Sequence, residues 1–225
     1  MKQPASSAAL RQPRALDYWV PMVAFGLFTW FEPYLTAQQF PVAYVVKAVV
    51  VTACVFIFRG PLSEIRVQPA VVLPSVLIGL IVFVLWVGID QYVPYQHLGS
   101  RTAFDPSPMR GSPGWIAFLA VRLYGLVLLV PVIEEILWRS FLLRFLTQAD
   151  FRQLAVGTFS ASALWWMVAG SAVSHPEWLV AAIASLIYAL WLRRTRSLFA
   201  SIVAHATTNA ALGIYVISTG SWQYW

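Results

Sequence analysis

Charge is scarce in this chain of 225 residues. Asp, Glu, Lys and Arg together make up 11% of it, whereas about a quarter is typical of a soluble domain. Hydrophobic residues make up 60%, which leaves too little polar surface to cover a water-soluble globule. The composition therefore excludes a soluble domain and indicates an integral membrane protein.

Cysteine and clustered positive charge are also lacking. Cys54 is the single cysteine, so an intramolecular disulfide is excluded, and its place in an apolar run is typical of a small buried hydrophobic residue. The net charge of +6 comes from basic residues in short connectors and not from one basic face, so a nucleic-acid partner is not expected. No small-residue cleavage site follows the N-terminal segment, which predicts an uncleaved first helix.

What the sequence has instead is a series of apolar runs, each close to the roughly 20 residues that cross a bilayer as a helix. The predicted spans are residues 18–36, 41–58, 70–89, 115–147, 156–174, 178–193 and 197–218. The loop 91–113 is rich in proline, glycine and serine and is expected outside the membrane. The sequence predicts an all-α fold with one integral-membrane domain over residues 1–225, a polytopic bundle of about seven to eight helices.

Basic residues in the connectors predict the orientation, because cytoplasmic loops carry an excess of Lys and Arg. A cytoplasmic N terminus leaves Arg101 and Arg110 on the outer side. The basic residues then expected at or near the cytoplasmic side are Lys2, Arg11, Arg14, Arg59, Arg66, Arg139, Arg144, Arg152, Arg193, Arg194 and Arg196. This bias predicts a multi-pass protein whose N terminus is cytoplasmic.

The predicted span 115–147 is too long for one simple crossing and contains Pro131. Proline removes a backbone donor and tends to kink or end a helix. We expect a broken helix, whose second piece begins at Val132 and carries EEILWR, residues 134–139. A break at membrane depth is tolerated where it is buried in protein or lines a wet cavity. Both glutamates of EEILWR are therefore expected beside a cavity.

Helical spacing places the charged residues of EEILWR on two different faces of the helix. Glu135 and Arg139 are four positions apart with the acid first, which is the favourable orientation for an ion pair on one helix face. Glu134 points about 100° away from Glu135 and is predicted to face the cavity. A carboxylate in a desolvated site can take up and return a proton. The alternative is a charged helix end at the membrane interface, with solvated acids.

The last span contains AHATTNA, in which His205 and Asn209 are four positions apart and share a helix face. Two hydrogen-bond donors aimed at one point are suited to stabilising an oxyanion. The alternative is a polar pair that joins neighbouring helices of the bundle.

His175 lies in GSAVSHPEW, at the end of a span and directly before a proline. It is either a cap or interfacial residue or a partner of Glu134 in activating a water. The predicted topology puts His175 at the outer end of its span and His205 nearer the cytoplasmic end of another. For both histidines to meet Glu134, either the turn 175–177 dips into the bundle or the neighbouring spans are short.

Three further ionisable residues, Glu32, Lys47 and Arg122, fall within predicted spans. Lys and Arg can extend to the interface or pair with acids, so these residues are predicted to be structural.

These motifs, in this order, resemble the CAAX-protease and bacteriocin-processing family of intramembrane glutamic endopeptidases, which includes the type II CAAX prenyl endopeptidases. The family pattern is EExxxR, then FxxxH, then HxxxN, and residues 134–139 and 205–209 match its first and last parts. The middle part matches in His175 alone, because Ser171 stands where phenylalanine is usual, a position expected to shape the cavity wall. The resemblance covers roughly residues 115–215, the expected catalytic core.

The resemblance implies a glutamate-dependent endopeptidase with no cofactor and no obligatory metal. Glu134 and His175 would activate the attacking water, while His205 and Asn209 would hold the oxyanion. Arg139 would position the acidic pair. The implied substrate is a membrane-associated peptide or protein in a bacterial inner membrane, with or without an attached lipid.

Three alternatives stay open from the sequence. One Glu and two His could hold zinc in a site with an open position, although HExxH is absent. Membrane Glu and His could form the pathway of a transporter, although no internal repeat is detectable. The motifs could also belong to a non-catalytic protein such as an immunity protein.

Overall fold

The computed structural model describes residues 13–99 and 103–224, and within these ranges the regular structure is helical with no strand. The predicted all-α fold is confirmed. The helices are α1 (Ala15–Phe31), α2 (Phe40–Ile57), α3 (Val72–Tyr92), α4 (Pro113–Thr147), α5 (Ala161–Val173), α6 (Trp178–Thr195) and α7 (Leu198–Thr219).

Five of these helices, α2, α3, α4, α6 and α7, are long and apolar enough to cross a membrane. The chain is therefore a multi-pass membrane protein. Its orientation stays a prediction, and Lys2, Arg11 and Arg101, on which that prediction partly depends, lie outside the described residues.

Helix α5 is shorter than the predicted span 156–174, and it comprises 13 residues. Gly157 has a φ of +83°, a left-handed conformation that only glycine adopts readily, so the chain turns there instead of starting a helix. Ser160 then caps the helix, because its side chain accepts a hydrogen bond of 3.1 Å from the Ala163 N–H.

Helix α4 runs for 35 residues, and its helical backbone continues through Pro131, so the predicted break at that residue is not confirmed. The irregularity takes another form. Two π-helical segments, Tyr124–Leu129 and Ile136–Leu142, enclose the α-helical segment Val130–Glu135. Such π segments are frequently found at functional sites.

The missing N–H of Pro131 explains how α4 is joined to α7. In the i→i+5 pattern of a π helix, the carbonyl of Leu126 would accept from residue 131, but proline has no N–H to donate. The side chain of Asn209 takes this place, since its Nδ2 donates to the Leu126 carbonyl oxygen at 2.8 Å. The proline is thus accommodated by a side chain from α7, and the helix does not end.

Helix α7 packs against α4 and α6, and it packs especially closely against α3. A Cβ added to Gly79 of α3 would collide with the Ala204 carbonyl oxygen and lie 2.7 Å from the Thr207 Cβ. At the same contact, the Thr208 hydroxyl donates to the Gly79 carbonyl oxygen at 2.8 Å. This close approach holds the His205 and Asn209 helix in the centre of the bundle.

A buried ionic network fixes the other end of α4. The Arg144 Nη2 lies 2.9 and 2.8 Å from the two carboxylate oxygens of Glu64, which belongs to the connector between α2 and α3. Glu64 also accepts from the hydroxyls of Tyr18 and Ser140. We call these four residues the Arg144 network, and it ties α1, the connector and α4 together.

Candidate active site

The four predicted catalytic residues, Glu134, His175, His205 and Asn209, line one cavity of about 710 Å³. Its other walls are formed by side chains of α1, α2, α3 and α6. A cavity of this size is within the range of pockets that bind small ligands. The fold therefore gathers residues that are up to 75 positions apart in the sequence.

Glu134 has a side chain that is largely buried and borders the cavity. Within the part of the chain that the structure describes, its carboxylate makes no hydrogen bond or ion pair. Glu135, by contrast, is fully buried, and its Oε1 lies 3.2 Å from Arg139 Nη1. The predicted Glu135–Arg139 pair is present, and Glu134 borders the cavity without taking part in that ion pair.

His205 makes a contact that the sequence did not predict. Its Nδ1 lies 2.9 Å from Glu135 Oε1, the same oxygen that pairs with Arg139. Because the carboxylate accepts, Nδ1 carries a proton, and Nε2 is the ring nitrogen that is left for a further contact. We call Arg139, Glu135 and His205 the Arg139 network. Glu135 therefore does more than neutralise an arginine, since it also orients the histidine.

Two side chains that the sequence analysis missed support this network. The Tyr188 ring stacks on the His205 ring, with centroids 5.2 Å apart, and the Tyr188 hydroxyl donates to Thr208 at 2.7 Å. Ser185 accepts from Arg139 Nη2 through its hydroxyl at 3.2 Å. Both residues lie on α6, outside the recognised motifs, so the sequence gave no signal for them.

Asn209 borders the cavity but does not point all of its donors into it. Its Nδ2 donates to the Leu126 carbonyl oxygen, as described for α4. An amide nitrogen carries two hydrogens, so the second remains for another acceptor. Asn209 thus has a role in holding α4 whatever it does in chemistry.

His175 follows the last turn of α5, and its Nδ1 lies 2.9 Å from the Ser171 carbonyl oxygen. A carbonyl only accepts, so Nδ1 donates and Nε2 carries the lone pair. Ser171 itself is buried and does not line the cavity, so the expectation that it shapes the wall is wrong.

The length of α5 explains how His175 reaches the cavity. At 1.5 Å per residue, its 13 residues span about 20 Å, less than the roughly 30 Å of a hydrocarbon core. Of the two possibilities left by the sequence, a short helix before His175 fits this structure, since α5 comprises 13 residues. The following turn is held by the loop before α4, since the Leu98 N–H donates to the Pro176 carbonyl oxygen at 2.9 Å.

A metal site would need several ligands close together. Among residues 13–99 and 103–224, no three His, Cys, Asp or Glu side chains are grouped so that they could hold a metal ion.

Residues 114–211 match the family model described as Type II CAAX prenyl endopeptidase Rce1-like. The resemblance inferred from the motifs is confirmed over this segment, which contains Glu134, His175, His205 and Asn209. The match supports membrane endopeptidase activity of the CAAX type in general. No curated protein and no solved structure matches the chain.

Proposed function

Since residues 114–211 are similar to type II CAAX prenyl endopeptidases, we propose that this protein is an intramembrane glutamic endopeptidase. Its substrate would be a membrane-associated peptide or protein, with or without a lipid. From the resemblance to bacterial members of that family we propose a bacterial inner membrane, and from the distribution of Lys and Arg a cytoplasmic N terminus.

The observation that carries this proposal is the different bonding of the two adjacent glutamates. Glu135 is held by Arg139 and His205. Glu134, one residue earlier, borders the cavity and takes no part in that network. A carboxylate that borders the cavity and is not paired with Arg139 can act as a general base.

In the proposed first step, Glu134 takes a proton from a water molecule while the water oxygen attacks the scissile carbonyl carbon. The new C–O bond converts the carbonyl oxygen into an oxyanion. His175 supports this step through Nε2, whose lone pair can accept from the same water, because Nδ1 is engaged with the Ser171 carbonyl.

The oxyanion is stabilised from α7. His205, protonated at both ring nitrogens, donates through Nε2, and Glu135 stabilises the resulting positive charge through Nδ1. Asn209 adds the second hydrogen of its Nδ2. When the oxyanion collapses, the C–N bond breaks, and Glu134 returns its proton to the leaving amine.

The test compares the membrane peptides of cells that carry the wild-type protein or Glu134→Ala, by mass spectrometry. A peptide end present with wild type and absent with the variant identifies the reaction and the substrate together. Identical peptide sets would contradict the proposal, provided that both proteins reach the membrane in equal amounts. Purified wild-type protein is then treated with a chelator, and loss of activity that zinc restores would favour the zinc alternative.

A further inference from the structure

Trp86 of α3 lines the cavity together with His175. The centroids of the two rings are 6.0 Å apart and their planes meet at 73°, which is an edge-to-face contact. Neither the recognised motifs nor the family match includes Trp86, because α3 ends at Tyr92 and the match begins at residue 114. An aromatic side chain from another part of the chain thus contacts one of the proposed catalytic residues.

The face of α3 that carries Trp86 is held against α7. Gly79, Val82 and Trp86 are spaced by three and four positions, so they lie on one face of the helix. At Gly79 the two backbones approach each other so closely that an added Cβ would collide with the Ala204 carbonyl oxygen. Val82 is 1% exposed and belongs to one buried cluster with Ala204. The backbone that carries Trp86 is therefore fixed relative to α7, the helix of His205.

Trp86 also contacts the surroundings of the second proposed catalytic histidine. Its side chain packs against the buried cluster formed by Val82, Ala184, Tyr188 and Ala204. Within this cluster the Tyr188 ring stacks on the His205 ring, with an angle of 20° between the planes. One indole ring therefore contacts both His175 and the cluster that contains the stacking partner of His205.

The indole N–H of Trp86 does not join it to the fold. Its Nε1 is buried and has no hydrogen-bond partner within the described residues, a property shared by Trp138, which precedes Arg139. In Trp191, by contrast, Nε1 donates to the Ser75 hydroxyl at 2.9 Å. Buried N–H groups almost always find an acceptor where stability is the requirement, and exceptions concentrate at functional sites. The contribution of Trp86 is therefore made by its ring.

The His175 ring needs a fixed plane for the role proposed above. The bond from Nδ1 to the Ser171 carbonyl oxygen holds one ring atom in place, but a single hydrogen bond does not fix the plane of the ring. The edge-to-face contact with Trp86 restrains that plane, and with it the direction in which Nε2 points. Because Nε2 accepts from the attacking water in the proposed reaction, this direction matters for the rate. A misplacement of about 1 Å can lower a rate about 100-fold.

We propose that Trp86 is a positioning residue, which holds the plane of the His175 ring and its distance from the stacked rings of Tyr188 and His205. This inference rests on the proposed function and adds to its site a residue from outside the matched segment. Trp86 acts through His175 and does not touch the reacting atoms.

The activity experiment uses purified full-length protein in detergent and a synthetic copy of the peptide whose cleavage depends on Glu134. Trp86→Leu should lower kcat about 10- to 100-fold and change KM less than about threefold, because it misplaces a group that acts in the chemical step. Trp86→Phe keeps an aromatic ring and should retain more than about a third of the wild-type kcat. Trp191→Leu is the matched control, because Trp191 packs against the same cluster but does not line the cavity. It should lower the melting temperature as Trp86→Leu does and leave kcat close to wild type.

A double variant separates positioning from a general structural role. In His175→Ala the ring that Trp86 holds is gone, so adding Trp86→Leu should lower the remaining kcat less than about twofold. A loss of kcat that is as large in His175→Ala as in the wild type would overturn the inference, because Trp86 would then act independently of His175. An equal loss of kcat in Trp191→Leu would overturn it as well, since any damage to the cluster would have the same effect.

A further measurement does not depend on activity. The chain has three histidines, so protein labelled with ¹³C at histidine Cε1 gives three imidazole signals, each assigned by replacing that histidine with glutamine. An aromatic ring shifts the resonances of nuclei beside it, so Trp86→Leu should move the His175 signal, while Trp191→Leu should leave it in place. The signal of His97 serves as the reference. An unmoved His175 signal in Trp86→Leu would overturn the inference. If the wild type cleaves no peptide, the proposed function is wrong, and the His175 signal alone then decides whether Trp86 holds that ring.

Discussion

Two buried arginines on α4, five positions apart, are bonded very differently. Arg144 donates to both carboxylate oxygens of Glu64 and to the Leu154 carbonyl oxygen at 3.2 Å, and its Nε donates to the Ser140 carbonyl oxygen. Arg139 pairs with Glu135 and Ser185, but its Nε has no hydrogen-bond partner within the described residues. Glu135 Oε2 is likewise buried without a partner there.

This difference is the one expected between a network that holds the fold and a network that belongs to the proposed active site. Buried polar atoms are almost always satisfied where stability is the requirement, and exceptions concentrate at functional sites. The Arg144 network conforms to the rule, while the Arg139 network, beside the cavity, does not. Changes in the two networks should therefore separate activity from stability.

The largest expected effect is on activity alone. Glu134→Gln keeps the shape of the side chain but cannot take up a proton, so hydrolysis should fall about 10³-fold or more. The melting temperature in detergent should stay close to that of wild type, because no described bond is lost. A large fall in melting temperature would mean that Glu134 belongs to the fold and not to the chemistry.

Glu64→Ala should have the opposite effect. It leaves the buried Arg144 charge without its partner, which costs about 3–5 kcal/mol of unfolding free energy. Activity per folded molecule should change less than about threefold, a range that corresponds to well under 1 kcal/mol. The control is Asp150→Ala, whose exposed pair with Arg152 contributes at most about 1 kcal/mol. Loss of activity without loss of stability in Glu64→Ala would erase the distinction between the two networks.

Asn209 is expected to contribute to both stability and activity, and a double variant can separate the two contributions. Asn209→Ala leaves the Leu126 carbonyl without its donor, so it should cost about 1–3 kcal/mol of stability and lower activity roughly 10- to 100-fold. Adding Pro131→Ala supplies a backbone N–H that can bond to Leu126 again. Stability should then recover in part, whereas activity should not. Recovery of both would leave Asn209 with a positioning role only.

The smallest expected effect is that of Ser140→Ala, which removes one hydroxyl from the Arg144 network. Glu64 keeps its contacts to Arg144 and Tyr18, so the loss should be about 1 kcal/mol in unfolding by denaturant. Activity should be unchanged, although Arg139 is the preceding residue. A measurable fall in activity would show that the π segment Ile136–Leu142 transmits changes from one network to the other.

Local spacing in the sequence was sufficient for part of this picture. The Glu135–Arg139 pair follows from two residues four positions apart on one helix, and the all-α membrane fold follows from the apolar runs. The His205–Glu135 bond joins α7 to α4 and depends on tertiary packing, which helical spacing does not report. The roles of the residues around the cavity and the membrane orientation stay predictions.

Pro131 shows how a correct local rule can predict a helix break that the folded protein does not have. Proline does remove a hydrogen bond, and the sequence therefore predicts a break. The break is avoided because Asn209, distant in the sequence, donates to the carbonyl that Pro131 cannot serve. The prediction of α5 was too long for a similar reason. The left-handed Gly157 and the Ser160 cap, which the sequence reading did not use, start this helix several residues later than predicted.

The shortness of α5 also concerns the lipids around it. A helix of about 20 Å cannot match a hydrocarbon layer of roughly 30 Å, so acyl chains beside it must shorten or tilt. Trp165 and Trp166 expose 60% and 71% of their surfaces on this helix, and tryptophan favours the headgroup level. We therefore expect the bilayer to be thinner beside His175. A thinner bilayer would bring bulk water closest to the cavity along this edge, and the hydrolysis proposed for Glu134 consumes one water molecule in every turnover.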